Sequence, residues 1–224
     1  MGIEDSHIED FVAKYIKGDF VVAVGTSLLG KAFLNKLAFA EAERGVNISI
    51  IPTSLETAAI ASQLKLKIVS LNEVEIDVAI EFVDAVDDNY NFIKRNSSSL
   101  VRDKMIAQSA ATLIVVTKHE NYVKKLAGKI PFEIATFGYK RTLNQLNLLG
   151  KARLREINGK PYKTETNHYL ADVDVDEIYS PEDLEYQSKE IPGVLETGLF
   201  LGYADKIILY DKNIEVKSRT EFKQ

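Results

Sequence analysis

With 224 residues, 46% of them hydrophobic and 27% charged, the chain has the composition of a soluble globular protein of one or two domains with enough length for a buried core. A net charge of −5 at pH 7 argues against a broad nucleic-acid surface and is compatible with a local basic pocket for a small phosphate. The absence of cysteine removes disulfides, thiolate metal sites and cysteine nucleophiles, and the three histidines, His7, His119 and His168, show no ligand spacing. No apolar run approaches the ~20 residues of a transmembrane helix, and the acidic start without an apolar signal core predicts a cytoplasmic protein.

In chain order, residues 8–16 read as a helix and Phe20–Val24 as a strand. Residues 29–43 form a second helix, closed by the glycine signal of Arg44-Gly45, and 46–51 the next strand. Thr53-Ser54-Leu55-Glu56 has capping-box spacing and opens a helix to about residue 64. Strands follow at 68–70 and 78–82, then a helix at 98–110 and a strand at 113–116. Val- and Ile-rich strands separated by helices imply a parallel sheet covered on both faces.

From about Pro131 the rhythm changes. Strand 132–137, helix 140–149, strand 152–157, an Asn158-Gly159 turn, strand 169–175, helix 181–189 and strand 194–199 give the order β-α-β-β-α-β, the ferredoxin-like pattern. A last apolar strand, Lys206–Tyr210, returns to the first sheet. The expected architecture is therefore α/β: a Rossmann-like parallel-sheet domain of residues 1–128 and 200–224, with an inserted ferredoxin-like α+β domain of residues 129–199.

Three segments carry chemistry-bearing residues. Gly25-Thr26-Ser27-Leu28-Leu29-Gly30-Lys31-Ala32 follows a strand and opens a helix. Its backbone amides suit a phosphate; the alternative is a tight turn with Leu28 and Leu29 packed inward. The spacing matches a nucleotide P-loop as far as Lys31, but Ala32 stands where a hydroxyl must reach magnesium. At the end of strand 78–82, Glu81 and Asp84 are placed for proton transfer, because crowded carboxylates repel and at least one is driven to hold its proton. Asp87 and Asp88 read as a solvated acidic loop. Lys94 follows the apolar pair Phe92-Ile93, which anchors its backbone and leaves the ammonium for an oxyanion or a phosphate. Arg95-Asn96-Ser97-Ser98-Ser99 then forms a ligand loop or a helix cap, and Asp103 is either a favourable charge near a helix N-terminus or a general base.

These segments resemble type A ribose-5-phosphate isomerase from Phe20 to the C-terminus. Val22-Ala23-Val24-Gly25-Thr26 is similar to the start of that family's V-G-x-G-T-G-S-T loop, and Pro52-Thr53-Ser54 matches its P-T-S segment. Asp77-Val78-Ala79-Ile80-Glu81-Phe82-Val83-Asp84-Ala85-Val86-Asp87 resembles D-x-A-I-D-G-A-D-E-V-D. Ile93-Lys94 through Leu100-Val101-Arg102-Asp103-Lys104 parallels I-K-G-G-G-G-A-L-L-R-E-K, and the segment 191–205 is close to I-P-G-V-V-E-H-G-L-F-L-G-M-A-D.

The resemblance implies interconversion of ribose 5-phosphate and ribulose 5-phosphate through an enediolate, with no metal or other cofactor. Asp103 takes the place of the base, Lys94 steadies the anion, and Glu81 and Asp84 assist ring opening and proton traffic. Gly25, Thr26 and Ser27 are the substrate-binding positions the resemblance implies. Arg95, Asn96, Ser97 and Ser98, in place of the family's glycine run, are expected to block close approach or supply replacement donors, and Arg95, Lys31 or Lys118 to replace the lost phosphate donors. The family's association into dimers or tetramers implies a homo-oligomer. Departures fall at the site: Asp103 is one methylene shorter than the family's glutamate and Glu81 one longer than its aspartate. Leu28 and Leu29 replace two hydroxyls, and Arg95-Asn96-Ser97-Ser98 replaces a glycine run. A catalytically weakened, sugar-phosphate-binding homologue is the alternative these departures leave open.

Overall fold

Unbroken runs of Val, Ile and Ala form the central strands, and the helices between them return each strand parallel to the one before. The computed structural model describes residues 5–219. In chain order its elements are α1 (Asp5–Tyr15), β1 (Phe20–Val24), α2 (Leu28–Arg44), β2 (Ile48–Pro52), α3 (Leu55–Gln63), β3 (Lys67–Ile68), β4 (Ile76–Phe82), β5 (Ala85–Val86), β6 (Phe92–Ile93), α4 (Leu100–Ser109) and β7 (Ala110–Lys118). There follow β8 (Gly128–Ile134), α5 (Tyr139–Leu146), β9 (Lys151–Leu154), β10 (Glu156–Ile157), β11 (Lys160–Pro161), β12 (Tyr169–Val175), α6 (Pro181–Lys189), β13 (Val194–Thr197), β14 (Leu199–Phe200), β15 (Lys206–Tyr210) and β16 (Ile214–Ser218).

The chain divides into two compact units. The first takes the residues up to Phe82, Ile106–His119 and those from Ala204 onward; the second takes Val83–Met105 and Glu120–Tyr203. The sequence boundaries differ from this division, since they group residues 83–105, 120–128 and 200–203 with the first sheet. Among the described residues no helix is long and apolar enough to cross a membrane.

The first unit is a seven-stranded sheet in the order β16-β15-β7-β4-β1-β2-β3. All neighbours from β15 to β3 are parallel, and β16 alone runs antiparallel, against β15. Strands are added outward from β1 in both directions, which creates a topological switch point between β1 and β4; ligands of open α/β sheets bind beyond the carboxyl ends of the strands at such points. Val22, Val24, Ile48, Ile50, Val78 and Ile80 pack with Phe33, Leu34 and Leu37 of α2 in one buried cluster.

Two glycines let the chain fold tightly after β1. The Gly25 N–H donates to the Ile80 carbonyl at 2.7 Å, and a Cβ on Gly25 would fall 2.4 Å from Glu81 Oε2. A Cβ on Gly30 would fall 2.1 Å from the Gly25 carbonyl oxygen, a backbone atom with no rotamer escape. Gly30→Ala is therefore expected to destabilise the first unit by about 3 kcal/mol, at the upper end of ordinary overpacking. A fall in the urea midpoint relative to wild type measures it; an unchanged midpoint would show that the turn yields.

The second unit carries β8-α5-β9 and β12-α6-β13, whose four antiparallel strands lie in the order β13-β8-β12-β9. This is the expected ferredoxin-like arrangement. Asn158 (φ 54°) and Gly159 (φ 72°) both turn left-handed between β10 and β11, as a two-residue hairpin of matching twist requires. A small sheet, β14-β6-β5, completes the unit. Here the fully buried Phe92 stacks on Phe200 with ring centroids 4.6 Å apart.

Candidate active site

In the second unit, β6 carries the chain directly into Lys94. With Phe92 and Ile93 fully buried, and the Lys94 N–H donating to the Gly198 carbonyl at 2.9 Å, the lysine's backbone is fixed. Its ammonium lies 2.8 Å from Asp103 Oδ2, and the two side chains are only 4% and 3% exposed. Asp103 stands in the first turn of α4, where its own N–H donates to the Ser99 carbonyl at 3.0 Å and the helix dipole favours negative charge. The Ser97 hydroxyl donates to the same Oδ2 at 2.5 Å. Asp84 is half-buried; its Oδ2 accepts the Arg95 N–H at 2.6 Å, and its N–H donates to the Ile93 carbonyl at 2.9 Å.

The glycine-replacing segment is committed to structure. The Arg95 guanidinium donates to the carbonyls of Asp84, Ala127 and Lys129 at 3.0 to 3.2 Å, so it ties its own loop to two other segments, at residue 84 and at residues 127–129. The Ser98 carbonyl accepts the Glu165 N–H at 3.0 Å, and Asn96 is exposed.

In the first unit, Glu81 is buried at the end of β4 beside Gly25. Thr26 is exposed, and its hydroxyl bonds Ser54 at 2.6 Å and Thr57 at 3.2 Å, turning toward α3. The Ser27 hydroxyl caps α2 by accepting the Gly30 N–H at 2.8 Å. Lys118 is the exposed last residue of β7, registered with Tyr210 on β15. It is two residues past Val116, the partner of Phe82 on β4.

Three sequence expectations change. Leu28 is not packed inward: it is 89% exposed at the first position of α2, because the helix starts there and turns that face outward, while Leu29 lines an apolar cavity with Phe11, Tyr15 and Phe33. Asp87 is not solvated: it is 4% exposed and accepts the N–H groups of Asn89 and Asn91, both at 2.9 Å. Burial pushes its carboxyl up, against the pull of those N–H groups and the Asn91 amide. The α3 cap is Ser54, which accepts the Thr57 N–H at 3.0 Å, whereas the Thr53 hydroxyl donates to the Val24 carbonyl at 2.8 Å.

One residue of the second unit escaped the sequence reading. Glu133 on β8 is fully buried, and its oxygens accept from the hydroxyls of Thr166 (2.5 Å), Thr164 (2.8 Å) and Ser99 (3.2 Å) and from the Val101 N–H (3.0 Å), with His168 Nδ1 at 2.9 Å. A lone Glu within an apolar strand, Phe132-Glu133-Ile134, was the available signal, since a charge there needs partners. Burial drives its carboxyl up, but hydrogen bonds from Thr166, Val101, His168 and Thr164 outweigh burial and hold it below the ordinary value. A lowered folded value means that its stabilisation is complete above the unfolded value, about 4.5, and is lost as pH falls through the folded one. Wild type is thus expected to lose urea resistance more steeply than Glu133→Gln between pH 6 and pH 3; equal slopes would contradict it.

A Rossmann-like sheet with a glycine turn against a buried acid at its switch point, and a second unit of ferredoxin-like order holding a buried lysine–carboxylate pair at a helix start, define the class: a two-unit α/β protein with an inserted α+β unit. The family model described as Ribose 5-phosphate isomerase A (phosphoriboisomerase A) matches residues 49–213. Ribose-5-phosphate isomerase A of Bacillus mycoides (strain KBAB4) is 30% identical over 208 residues, 91% of this chain and 94% of its own length. That of Archaeoglobus fulgidus is 33% identical over 190 residues, 83% of this chain and 84% of its own. The structure of ribose 5-phosphate isomerase A from Methanocaldococcus jannaschii superposes with a TM-score of 0.88 at 25% identity, covering 96% of this chain and 98% of that one. The chain belongs to the ribose 5-phosphate isomerase A family.

Proposed function

We propose that this protein interconverts ribose 5-phosphate and ribulose 5-phosphate by proton transfer through an enediolate, with Asp103 as base and Lys94 as its electrophilic partner. The observation that carries the reading is the buried Lys94–Asp103 pair, with Ser97 on the same carboxylate oxygen. In the forward direction Asp103 removes the proton from C2 of the open-chain aldose, and the C2–H electrons form the C1–C2 double bond as charge moves onto O1. The Lys94 ammonium balances that charge in a site screened from water, where such stabilisation is strongest. Asp103 then delivers a proton to C1, either the one it removed or a solvent proton exchanged for it while on the carboxyl; the O2 proton passes to O1, and a ketone remains at C2.

Glu81 and Asp84 take the ring-opening and proton-relay roles that the family resemblance gives them. The amides of Gly25, Thr26 and Ser27, at the start of α2, and the Lys118 ammonium are the phosphate-holding groups we favour. Arg95, Ser97 and Ser98 shape the loop, and Asn96 is left to meet substrate. A cytoplasmic homodimer or homotetramer acting in pentose phosphate metabolism, with no nucleic-acid or membrane partner, follows from the same reading. The test is formation of ribulose 5-phosphate from ribose 5-phosphate by the purified protein in D2O. Partial deuterium at C1 of the product is expected, from exchange while Asp103 carries the proton, and it accumulates as the reversible reaction is prolonged. Retention of all the C2 hydrogen at C1 even at full equilibration would favour a hydride shift over the enediolate route. Tight binding of ribose 5-phosphate without turnover would overturn the enzyme reading.

A further inference from the structure

Glu133 is buried, charged and absent from the chemistry just described, yet its contacts lead to the proposed base. Ser99 stands just before α4, where its hydroxyl accepts the Arg102 N–H at 3.2 Å and donates to Glu133 at 3.2 Å. Glu133 itself accepts the Val101 N–H at 3.0 Å. Two of the donors that every helix start leaves open are thus satisfied around one carboxylate. The Ser99 N–H then donates to the Ser97 hydroxyl at 3.0 Å, and that hydroxyl donates to Asp103 at 2.5 Å.

The segment 164–168 closes over the helix start from the other side. Thr164, Thr166 and His168 bond Glu133, the Glu165 N–H donates to the Ser98 carbonyl, and the Glu165 carboxylate pairs with Arg102 at 2.5 Å. The Tyr162 phenol faces the same acids; burial pushes it up, followed by Glu165, with Glu133 and Asp103 adding and Arg155 opposing.

We propose that Glu133, acting through Ser99 and Ser97, is a positioning residue that fixes the side-chain orientation of Asp103 and the hydroxyl hydrogen bond it receives. Ser97 has one hydroxyl hydrogen. Because it accepts from the Ser99 N–H, its proton is left to point at Asp103. Freeing Ser99 from Glu133 lets the turn relax and the hydroxyl rotate away. The segment 164–168, remote in sequence from the base, thereby reaches it through four successive hydrogen bonds, by way of Glu133, Ser99 and Ser97.

This inference rests on the isomerase reading, and the experiment separates the two. Steady-state kinetics with ribose 5-phosphate are measured for wild type, Glu133→Gln, Ser99→Ala, Thr166→Val, Ser97→Ala and Ser97→Thr. Loss of alignment is expected to lower kcat about 10- to 100-fold in Ser99→Ala and Glu133→Gln, with KM within about twofold. In Ser97→Ala kcat falls in the same way, with KM again held, because the hydroxyl that orients the Asp103 carboxylate is gone, and Ser97→Thr restores the rate. Should Glu133→Gln fail to fold, Ser99→Ala and Thr166→Val carry the comparison. Folded variants with wild-type kcat, beside an active wild type, would overturn the positioning role alone. An inactive wild type would instead overturn the isomerase reading, and faster amide exchange at residues 99–103 in Ser99→Ala then reads out the clasp independently of turnover.

Discussion

Asp103→Asn is expected to lower kcat for ribose 5-phosphate by about a thousandfold or more, the middle of the range for loss of a general base. Asparagine keeps the shape of the side chain and can still accept the Ser97 hydroxyl, so alignment survives while proton affinity disappears. KM should change little if ground-state contacts fall elsewhere. The substitution also leaves the Lys94 ammonium, 4% exposed, without its carboxylate, and rates must be read well below the unfolding transition. Circular dichroism at the assay temperature establishes that the variant is folded. A folded Asp103→Asn protein with wild-type kcat removes Asp103 from the mechanism.

Lys94→Met should cost about 3–5 kcal/mol of stability, because it strands a buried carboxylate. It should also lower kcat by removing the charge that balances the enediolate. The double variant Lys94→Met/Asp103→Leu separates the two effects. Replacing both members of a buried ion pair by apolar residues of similar volume is close to neutral or stabilising, so the urea midpoint should return most of the way while turnover stays absent. This distinguishes a pair kept for chemistry from one kept for stability. If the double variant were as unstable as Lys94→Met, the pair would be holding the second unit together through more than its own charges.

Much of the fold was legible because burial on both faces of a parallel sheet forces unbroken apolar runs. Phe20–Val24 and Lys206–Tyr210 have the predicted bounds, and the β-α-β-β-α-β order emerged from the spacing of strands and helices. Short or exposed elements were not legible. Two-residue strands such as β5 and β6 have no period to detect, and β16 shows mostly exposed residues without clean alternation. The helix after β1 was recognised, but the orientation of Leu28 depends on where its first turn begins, and a difference of one residue rotates a side chain by ~100°.

The candidate site divided in the same way. Lys94, Asp103, Glu81 and Asp84 could be named because their order and spacing match a family whose motifs recur along the chain. Sequence also determined the glycine turn after β1, the apolar anchor ahead of Lys94 and the acid in the first turn of α4, since each is a local matter of backbone and neighbours. Tertiary structure alone decided what each charge meets: Lys94 pairs with Asp103, Arg95 is used up on main-chain carbonyls, and Asp87 is buried. It also placed Glu133 beside Ser99, 34 residues away in sequence. Hydrogen bonds and ion pairs depend on ångström distances between side chains, which composition, periodicity and spacing do not encode until the strands have paired and the helices have packed.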